Sequence, residues 1–273
     1  MSIHEREVKW HNFVGLVSEF GLQYPYIYRG EAETWEHPLD TSLHRRIRAL
    51  ADNHQKKIEY RTEFELLRDE AAVQRIFMSG AYQHLRSEVL PINGNRFDWW
   101  CLMQHYGAPT RLLDWTWSPL VAAYFACIDK REQDGSIWFL YIPNLSKRML
   151  RIDDTRPPAS DREFEEYYLR PDAPQLVLPA APFKRTDRMI AQQTVMSVSR
   201  SVKASQYLIL KDTFADQNDS LGFGRMIIKA ADKAQFIARL ARLNVTGNVL
   251  FPGIDGLGKH VGQLLSDNIL GLH

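Results

Sequence analysis

The segment of residues 103–128 constrains the fold of this chain more than any other. It reads Met-Gln-His-Tyr-Gly-Ala-Pro-Thr-Arg-Leu-Leu-Asp-Trp-Thr-Trp-Ser-Pro-Leu-Val-Ala-Ala-Tyr-Phe-Ala-Cys-Ile, with polar side chains between two apolar runs. Gly107 and Pro109 favour a turn before the polar group. Ser118 followed by Pro119 is typical of a helix start, with serine as the N-cap and proline as the first helical residue. We therefore expect a polar loop in front of a buried helix.

The pattern along the rest of the chain predicts an α+β fold. Apolar spacing indicates helices over residues 4–20, 43–50, 58–86, 97–106, 231–243 and 256–270. Aromatic and β-branched runs indicate strands over residues 24–30, 135–142, 189–198, 207–210 and 226–228. We interpret residues 1–273 as a single domain, with an N-terminal helix at 1–20 and a body at 21–270. A helical N-terminal half is followed by a small mixed or antiparallel sheet, and residues 153–184 form a long loop or lid.

Composition excludes several classes of protein. The net charge of +1 creates no strong field toward nucleic acid or an anionic membrane. The longest apolar run, residues 119–128, is too short to cross a bilayer, and the charged N-terminus is unlike a signal peptide. Cys101 and Cys127 lie in apolar stretches, which favours buried, reduced thiols. We expect a cytoplasmic protein that has no membrane partner.

The first candidate site is Tyr28-Arg29-Gly30, at the end of a predicted strand. The guanidinium of Arg29 can donate two hydrogen bonds to a phosphate or a carboxylate. Gly30 allows a ligand or another backbone to approach closely. The alternative is that Arg29 pairs with a structural carboxylate such as that of Asp114.

The second candidate site is the polar segment of residues 110–118. Arg111 and Asp114 are three residues apart, and the pair can brace the loop. We expect Asp114 to pair with either Arg29 or Arg111, which leaves the other arginine to face a ligand. The two tryptophans beside Thr116 are candidates for stacking on a planar ring, although tryptophans at this spacing are more often core residues.

The third candidate site is Arg188-Met-Ile-Ala-Gln-Gln-Thr-Val-Met, where two glutamines interrupt an apolar strand. On a strand, the side chains of Gln192 and Gln193 point to opposite faces, so only one can face a cleft. We expect that residue to be Gln193. The alternative is a glutamine that faces water. No phosphate-binding glycine loop, dinucleotide fingerprint, nucleophile elbow or zinc motif is present, so we expect no metal.

Together these motifs resemble the FRG domain family, which is named for a Phe/Tyr-Arg-Gly motif. The family pattern Gln-His-x-Gly-x-Pro-Thr-Arg-Leu-Leu-Asp-Trp-Thr is similar to residues 104–116, and its Ser-Pro-Leu continuation to residues 118–126. An Arg-x-x-x-Gln-Gln block is similar to residues 188–193, and a Phe-Pro-x-x-Asp-Gly-Leu block to residues 251–257. The resemblance implies a domain type for residues 20–270 but little biochemistry.

The order of the elements also resembles that of ADP-ribosyltransferases, which carry a strand-borne Arg or His, a Ser/Thr/Tyr element and a later Glu or Gln. Arg29, Thr116 with Ser118, and Gln193 fall in that order. This analogy implies NAD as the substrate, with Arg29 on the pyrophosphate, Trp115 or Tyr124 as a stacking wall, and Gln193 on the ribose. Glutamine cannot act as a general base, so Asp114, His105 or an acid within residues 161–166 would activate the acceptor.

The sequence thus predicts an FRG-type α+β protein that binds a nucleotide-like small molecule. The residues expected to act in catalysis are Arg29, Asp114, Thr116 and Gln193, and those expected to bind the ligand are Tyr28, Gly30, His105, Arg111, Trp115, Ser118 and Tyr124. The activity implied is ADP-ribosyl transfer from NAD to a protein or nucleic-acid target, as an effector or anti-phage toxin. The alternatives are a non-catalytic module that binds nucleotide, nucleic acid or a protein, and a buried salt-bridge network with no ligand.

Overall fold

A seven-stranded mixed sheet forms the centre of the computed structural model, which describes residues 4–21, 25–36, 38–53, 61–91, 96–152, 168, 175–180, 185–215 and 222–266. The strands are β1 (His4–Glu7), β2 (Tyr26–Glu31), β3 (Leu112–Thr116), β4 (Gly135–Tyr141), β5 (Val177–Ala180), β6 (Thr194–Ser199) and β7 (Phe223–Ile228). Their order is β1-β7-β4-β2-β3-β6-β5. Among the described strands, only β1 and β7 pair in parallel. The α+β prediction is confirmed.

Helices flank this sheet and connect its strands. They are α1 (Trp10–Leu16), α2 (Ser42–Asn53), α3 (Glu63–His84), α4 (Arg96–His105), α5 (Pro119–Cys127), α6 (Ile142–Ile152), α7 (Asp187–Ala191), α8 (Gln206–Thr213), α9 (Ala230–Arg242), α10 (Gly247–Leu250) and α11 (Ile254–Ser266). A π-helical turn, Val17–Gly21, follows α1. Ser118 caps α5 as predicted, because its hydroxyl accepts from the amide of Val121. No helix in the described part of the chain is long and apolar enough to cross a membrane.

Two predicted elements near the N-terminus and the centre are wrong. Residues 4–20 are not one helix: the chain first pairs with β7 as the exposed strand β1, and α1 begins only at Trp10. Residues 110–118 are not a loop, because residues 112–116 form β3, which pairs with β6 at five positions. The sequence of β3 lacks the alternation of apolar and polar residues that is typical of a strand, because β3 buries side chains on both faces of the sheet.

The predicted strands at residues 189–198 and 207–210 also need correction. The first region is a short helix, α7, followed by β6. The second is the helix α8, which begins after Ser205, where the serine hydroxyl accepts from the amide of Leu208. A short apolar run does not distinguish a strand from a buried helix, and the cap decides between them. Of the predicted loop at 153–184, only residues 168 and 175–180 are described, and residues 177–180 form β5.

Apolar cores lie on both faces of the sheet. The larger core packs α4 and α8 against β3, β4 and β6, and it holds Trp100, Trp115 and Trp138. The second core packs α1, α5 and α9 against β2, β4 and β7. Cys101 lies in the first and Cys127 in the second, and both are buried free thiols. Burial raises the pKa of the Cys127 thiol to about 12 and that of Cys101 well above its usual value.

Helix α5 contacts the backbone of β2 directly at Gly30. A Cβ atom at this position would lie 1.9 Å from the carbonyl oxygen of Ala122, which is a backbone atom that cannot move aside. Of the two roles predicted for Gly30, the structure supports close approach of another backbone. The contact fixes the N-terminal end of α5 beside the Arg29 strand.

Replacing Gly30 should therefore destabilise the fold, and Gly15 in α1 provides a matched control. Gly30→Ala should lower the free energy of unfolding by about 2 kcal/mol or more, because the methyl group overlaps α5. No atom lies within 4 Å of a Cβ built at Gly15, so Gly15→Ala should stabilise by roughly 0.5–1 kcal/mol. Urea denaturation of both variants measures this difference, and equal stability would contradict the packing described.

A buried ion pair joins the residue directly before β3 to α3. Arg111 is only 1% exposed and forms a two-pronged ion pair with the carboxylate of Glu70, which is 2% exposed. Nη1 of Arg111 also donates to the carbonyls of Tyr168, Ser199 and Arg200, at 3.1–3.2 Å. Its guanidinium lies 4.9 Å from the ring centroid of Trp100. Arg111 is thus a structural residue whose guanidinium is enclosed by protein.

A double-mutant cycle on this pair should show strong coupling. Arg111→Met and Glu70→Gln should each lower the free energy of unfolding by about 3–5 kcal/mol, because each leaves a buried group without its partner. The double variant should recover much of that loss. Chemical denaturation measures all four proteins. In the parallel cycle Arg111→Met with Asp114→Asn, the effects should add, and coupling there would contradict the assignment of Glu70 as the partner.

Candidate functional site

The sheet splits between β2 and β3. These strands share one bridged pair, Tyr28 with Thr116, whereas β2 and β4 share six. The guanidinium of Arg29 lies at the split: Nη1 donates to the backbone carbonyl of Asp114 at 2.8 Å, and Nε donates to the carboxylate of Glu31 at 3.2 Å. The arginine side chain thus replaces the missing strand pairing at this point.

A buried carboxylate holds Arg29 in place. Glu31 is 7% exposed and also accepts from the indole of Trp138 at 3.0 Å and from the amide of Leu39 at 3.4 Å. Because three donors fix the carboxylate, the orientation of the guanidinium is fixed as well. Among the described residues, Nη2 of Arg29 has no hydrogen-bond partner. That nitrogen is available to a ligand.

A cleft of about 220 Å³ opens at the split. It is lined by Tyr28, Arg29, Gly30, Asp114, Trp115, Thr116, Val121, Phe125, Arg188, Gln192 and Thr194. A recess of about 50 Å³ adjoins it and shares Asp114, Arg188, Gln192 and Thr194 with it; the recess also contacts Cys101, Gln104, His105, Thr186, Met189 and Met196. The cleft and the recess lie side by side at the ends of β2, β3 and β6, with the four shared residues as their common wall.

Arg188 supplies a second cation to this site. It is exposed, and its guanidinium lies 4.8 Å from the ring centroid of Phe251. No carboxylate of the described residues pairs with it. A cation–π contact therefore orients Arg188, while the donors of its side chain have no hydrogen-bond partner among the described residues.

Asp114 is the acid of the site. It lies on β3 opposite Met196, and it lines both the cleft and the recess. Its side chain is exposed and forms no hydrogen bond or ion pair with the described residues. The expected pairing of Asp114 with Arg29 or Arg111 is therefore wrong: Arg29 contacts its backbone carbonyl, and Arg111 pairs with Glu70.

A turn between α7 and β6 forms one side of the cleft. The hydroxyl of Thr116 donates to the carbonyl of Gln192 at 2.7 Å, and the amide of Trp117 donates to the carbonyl of Gln193 at 3.1 Å. Gln192 is buried in the cleft wall, where its amide nitrogen donates to the carbonyl of Leu250 at 2.9 Å. Gln193 has a left-handed backbone, with φ of 49°, and is exposed.

The structure brings together seven of the residues that the sequence predicted for the site. Tyr28, Arg29, Gly30, Asp114, Trp115 and Thr116 line the cleft, and His105 lines the recess. Four others do not line either: Arg111, Ser118, Tyr124 and Gln193. The acids within residues 161–166 lie outside the described residues.

Three of the expected orientations need correction. The two glutamines are reversed, because α7 ends at Ala191 and the turn after it points Gln193 to solvent. The rings of Trp115 and Tyr124 are each 2% exposed, so neither is an open stacking surface. The indole of Trp115 instead donates to the hydroxyl of Ser197 at 2.8 Å.

Sequence reasoning missed five residues of the cleft: Val121, Phe125, Arg188, Gln192 and Thr194. Arg188 and Gln192 are four residues apart, and on a helix this spacing brings side chains to one face. The Arg-x-x-x-Gln block contained this signal, but the apolar residues between them indicated a strand. Phe125 gave no signal, because in an apolar helix the residue that borders a cleft looks like its buried neighbours.

The FRG domain family model matches residues 24–135. This range contains β2, β3, α5 and both motifs that carry Arg29 and Asp114. Residues 24–135 therefore match the FRG domain family, as the motifs predicted. Arg188 and Gln192 lie beyond the matched residues, on the part of the chain that completes the cleft. No curated protein and no solved structure matches the chain.

The pKa of His105 should report on the recess. Partial burial and the nearby charge of Arg188 lower this pKa below its usual value. Arg188→Gln should raise it part of the way back, because burial, the larger cause, remains. An NMR titration of the His105 ring in both proteins measures the change. His84, which lies at the end of α3 and does not line the site, is the internal control.

The shift also predicts a pH dependence of stability. Since protonation of His105 is less favourable in the folded than in the unfolded protein, its contribution to stability is present above the unfolded pKa of about 6.5 and is lost as pH falls through that range.

An unchanged or lower His105 pKa in Arg188→Gln would contradict the proximity of these two side chains.

Proposed function

We propose that the cleft binds an anionic, nucleotide-like ligand. The observation that carries this proposal is the pair of guanidiniums at the split in the sheet, one oriented by Glu31 and the other free of any described carboxylate. Both have donors left over, and a guanidinium binds phosphate oxygens in a two-pronged geometry. Two such groups on one cleft suit a diphosphate better than a single phosphate.

The rest of the wall supports a ligand that is only partly charged. Tyr28, Val121 and Phe125 border the cleft and give it an apolar side. Phe125 is half-buried and packs edge-on against Phe251, with ring centroids 6.0 Å apart. Ligand sites commonly combine such apolar walls with a few fixed polar groups. A base or a nicotinamide ring on this side and phosphates on the arginines would satisfy both.

We further propose NAD as the substrate and ADP-ribosyl transfer as the reaction. The three segments named by the analogy to ADP-ribosyltransferases belong to β2, β3 and the start of β6, which are adjacent in the sheet. In this reaction the bond from ribose C1′ to the nicotinamide nitrogen breaks, and nicotinamide leaves with the electron pair. The acceptor nucleophile bonds to C1′, and its proton passes to the carboxylate of Asp114.

Asp114 fits this role because of its surroundings. A general base must be able to reach the acceptor and must have an oxygen left to accept its proton, and an exposed carboxylate without an ion-pair partner meets both conditions. Its position between the cleft and the recess leaves room for an acceptor on the His105 side. Gln192 lines the cleft, so in this proposal it, rather than Gln193, contacts the ribose hydroxyls.

The second candidate function is a non-catalytic nucleotide-binding module. It shares the two arginines and the cleft but gives Asp114 no chemical role. Loss of nicotinamide from bound NAD distinguishes the two, because a binding module returns NAD intact.

Binding should be tested first with ADP, by thermal shift and calorimetry. Arg29→Lys should weaken ADP binding about tenfold or more, because lysine lacks the planar fork, and Arg188→Gln should do the same. Arg68 on α3 is exposed and lies outside the cleft, so Arg68→Gln is the matched control and should bind like the parent. Unchanged ADP affinity in both cleft variants would overturn the proposed site.

Catalysis should then be tested with NAD that carries a label on either half. The parent protein should release nicotinamide and transfer the ADP-ribose label to an acceptor. Asp114→Asn should keep ADP binding but lose most of the turnover, because the amide cannot take the proton. Gln193→Ala should react like the parent, and Gln192→Ala should not. Tight NAD binding without nicotinamide release would favour the binding module.

A further inference from the structure

A second cavity lies on the β1 side of the sheet, between the strands and the end of α1. It has a volume of about 230 Å³, and its lining is mostly apolar, with Leu16, Tyr26, Phe139 and Met226 among its walls. Arg29, Asp114 and Arg188 do not line it. The cavity is about half as large again as one of about 150 Å³ that holds benzene. It therefore has room for one aromatic ring and a short chain.

The basic and the acidic side chains of β1 lie on opposite faces of the strand. His4 and Arg6 lie two residues apart, on the same face, and both line the cavity. Glu5 and Glu7 point to the other face, where Glu5 accepts from Arg225 at 2.6 Å and Glu7 lies 3.8 Å from Lys229. The carboxylates are thus paired away from the cavity, and none of the described residues that line it is acidic.

Arg6 has no partner of its own within the described part of the chain. Its strand pairs in parallel with β7 and sets Arg6 opposite Met226, so the guanidinium stands beside an apolar wall. Tyr28 is buried, with only 6% of its surface exposed, and it borders both this cavity and the anionic cleft. Burial raises the pKa of its phenol, so the hydroxyl stays protonated and can donate a hydrogen bond.

We propose that this cavity is a second binding site, for a small carboxylic acid with an aromatic or aliphatic tail. The tail packs between Leu16, Phe139 and Met226, and the carboxylate meets the guanidinium of Arg6 at the rim. Because the tail needs apolar surface and the head needs one unpaired cation, neither a free phosphate nor a neutral sugar fits both parts. Among the described residues, the site shares Tyr28 alone with the anionic cleft, and it does not depend on the function of that cleft.

The test uses a matched set of probes on the full-length chain: 4-phenylbutyrate, 4-phenylbutanol and 4-phenylbutylamine. They share one tail and differ in the charge of the head. Calorimetry should give the tightest binding for the acid, weaker binding for the alcohol and none for the amine. Arg6→Gln should weaken acid binding about tenfold and leave alcohol binding unchanged, because only the charged contact is lost.

Three further variants locate the binding. Lys229→Gln removes a cation from the opposite face and should leave the affinity for the acid unchanged. Val17→Phe adds bulk to the cavity wall and should abolish binding of both the acid and the alcohol. The double variant Arg29→Gln and Arg188→Gln should still bind the acid.

Each contrary result overturns the proposal. Equal binding of acid, alcohol and amine would show that Arg6 contributes no charge selectivity. Loss of acid binding in the Arg29/Arg188 double variant would show that the acid occupies the anionic cleft instead. Absence of binding by all three probes would show that the cavity does not accept such a ligand.

Discussion

The guanidinium of Arg111 sets the geometry on which the site depends. It joins Glu70 of α3 to the carbonyls at the end of β6, and so it fixes β3 on its β6 side. β3 follows β6 for five residue pairs and meets β2 at only one. The gap that remains between β2 and β3 is where the cleft opens. A buried ion pair that does not line the cleft thus holds the strand that borders it.

The central motif divides into a structural half and a half that lines the cleft. In the first half, the hydroxyl of Thr110 donates to the side chain of Gln104, and Arg111 is enclosed by protein. In the second half, Asp114 and Thr116 face the cleft. The two halves are joined through one strand, so a change in either displaces the other.

The sequence predicted most helices and the neighbourhood of the site, because capping residues and apolar periodicity are local signals. Ser118 predicted the start of α5, and the neighbouring residues alone were enough to predict Arg29 and Asp114 as site residues. The ion pair of Arg111 with Glu70 could not be predicted from the sequence, because the two residues are 41 positions apart and no local spacing indicates the pair. The orientation of Gln193 depended on the end of α7, and element ends are the least certain feature of a sequence. Local chemistry was visible, whereas long-range partners were not.

The two cysteines lie on opposite sides of the sheet, so the reactivity of each thiol reports on a different side. Each is buried in a different core and has a raised pKa, so neither is a reactive thiolate in the folded protein. A thiol reagent reaches Cys127 only when its own side of the sheet opens, and it reaches Cys101, which is 4% exposed, only when the wall of the recess moves. The labelling rates of Cys101 and Cys127 therefore measure local unfolding in two different regions. Their ratio tells whether the two layers of the molecule separate from the sheet together or one after the other.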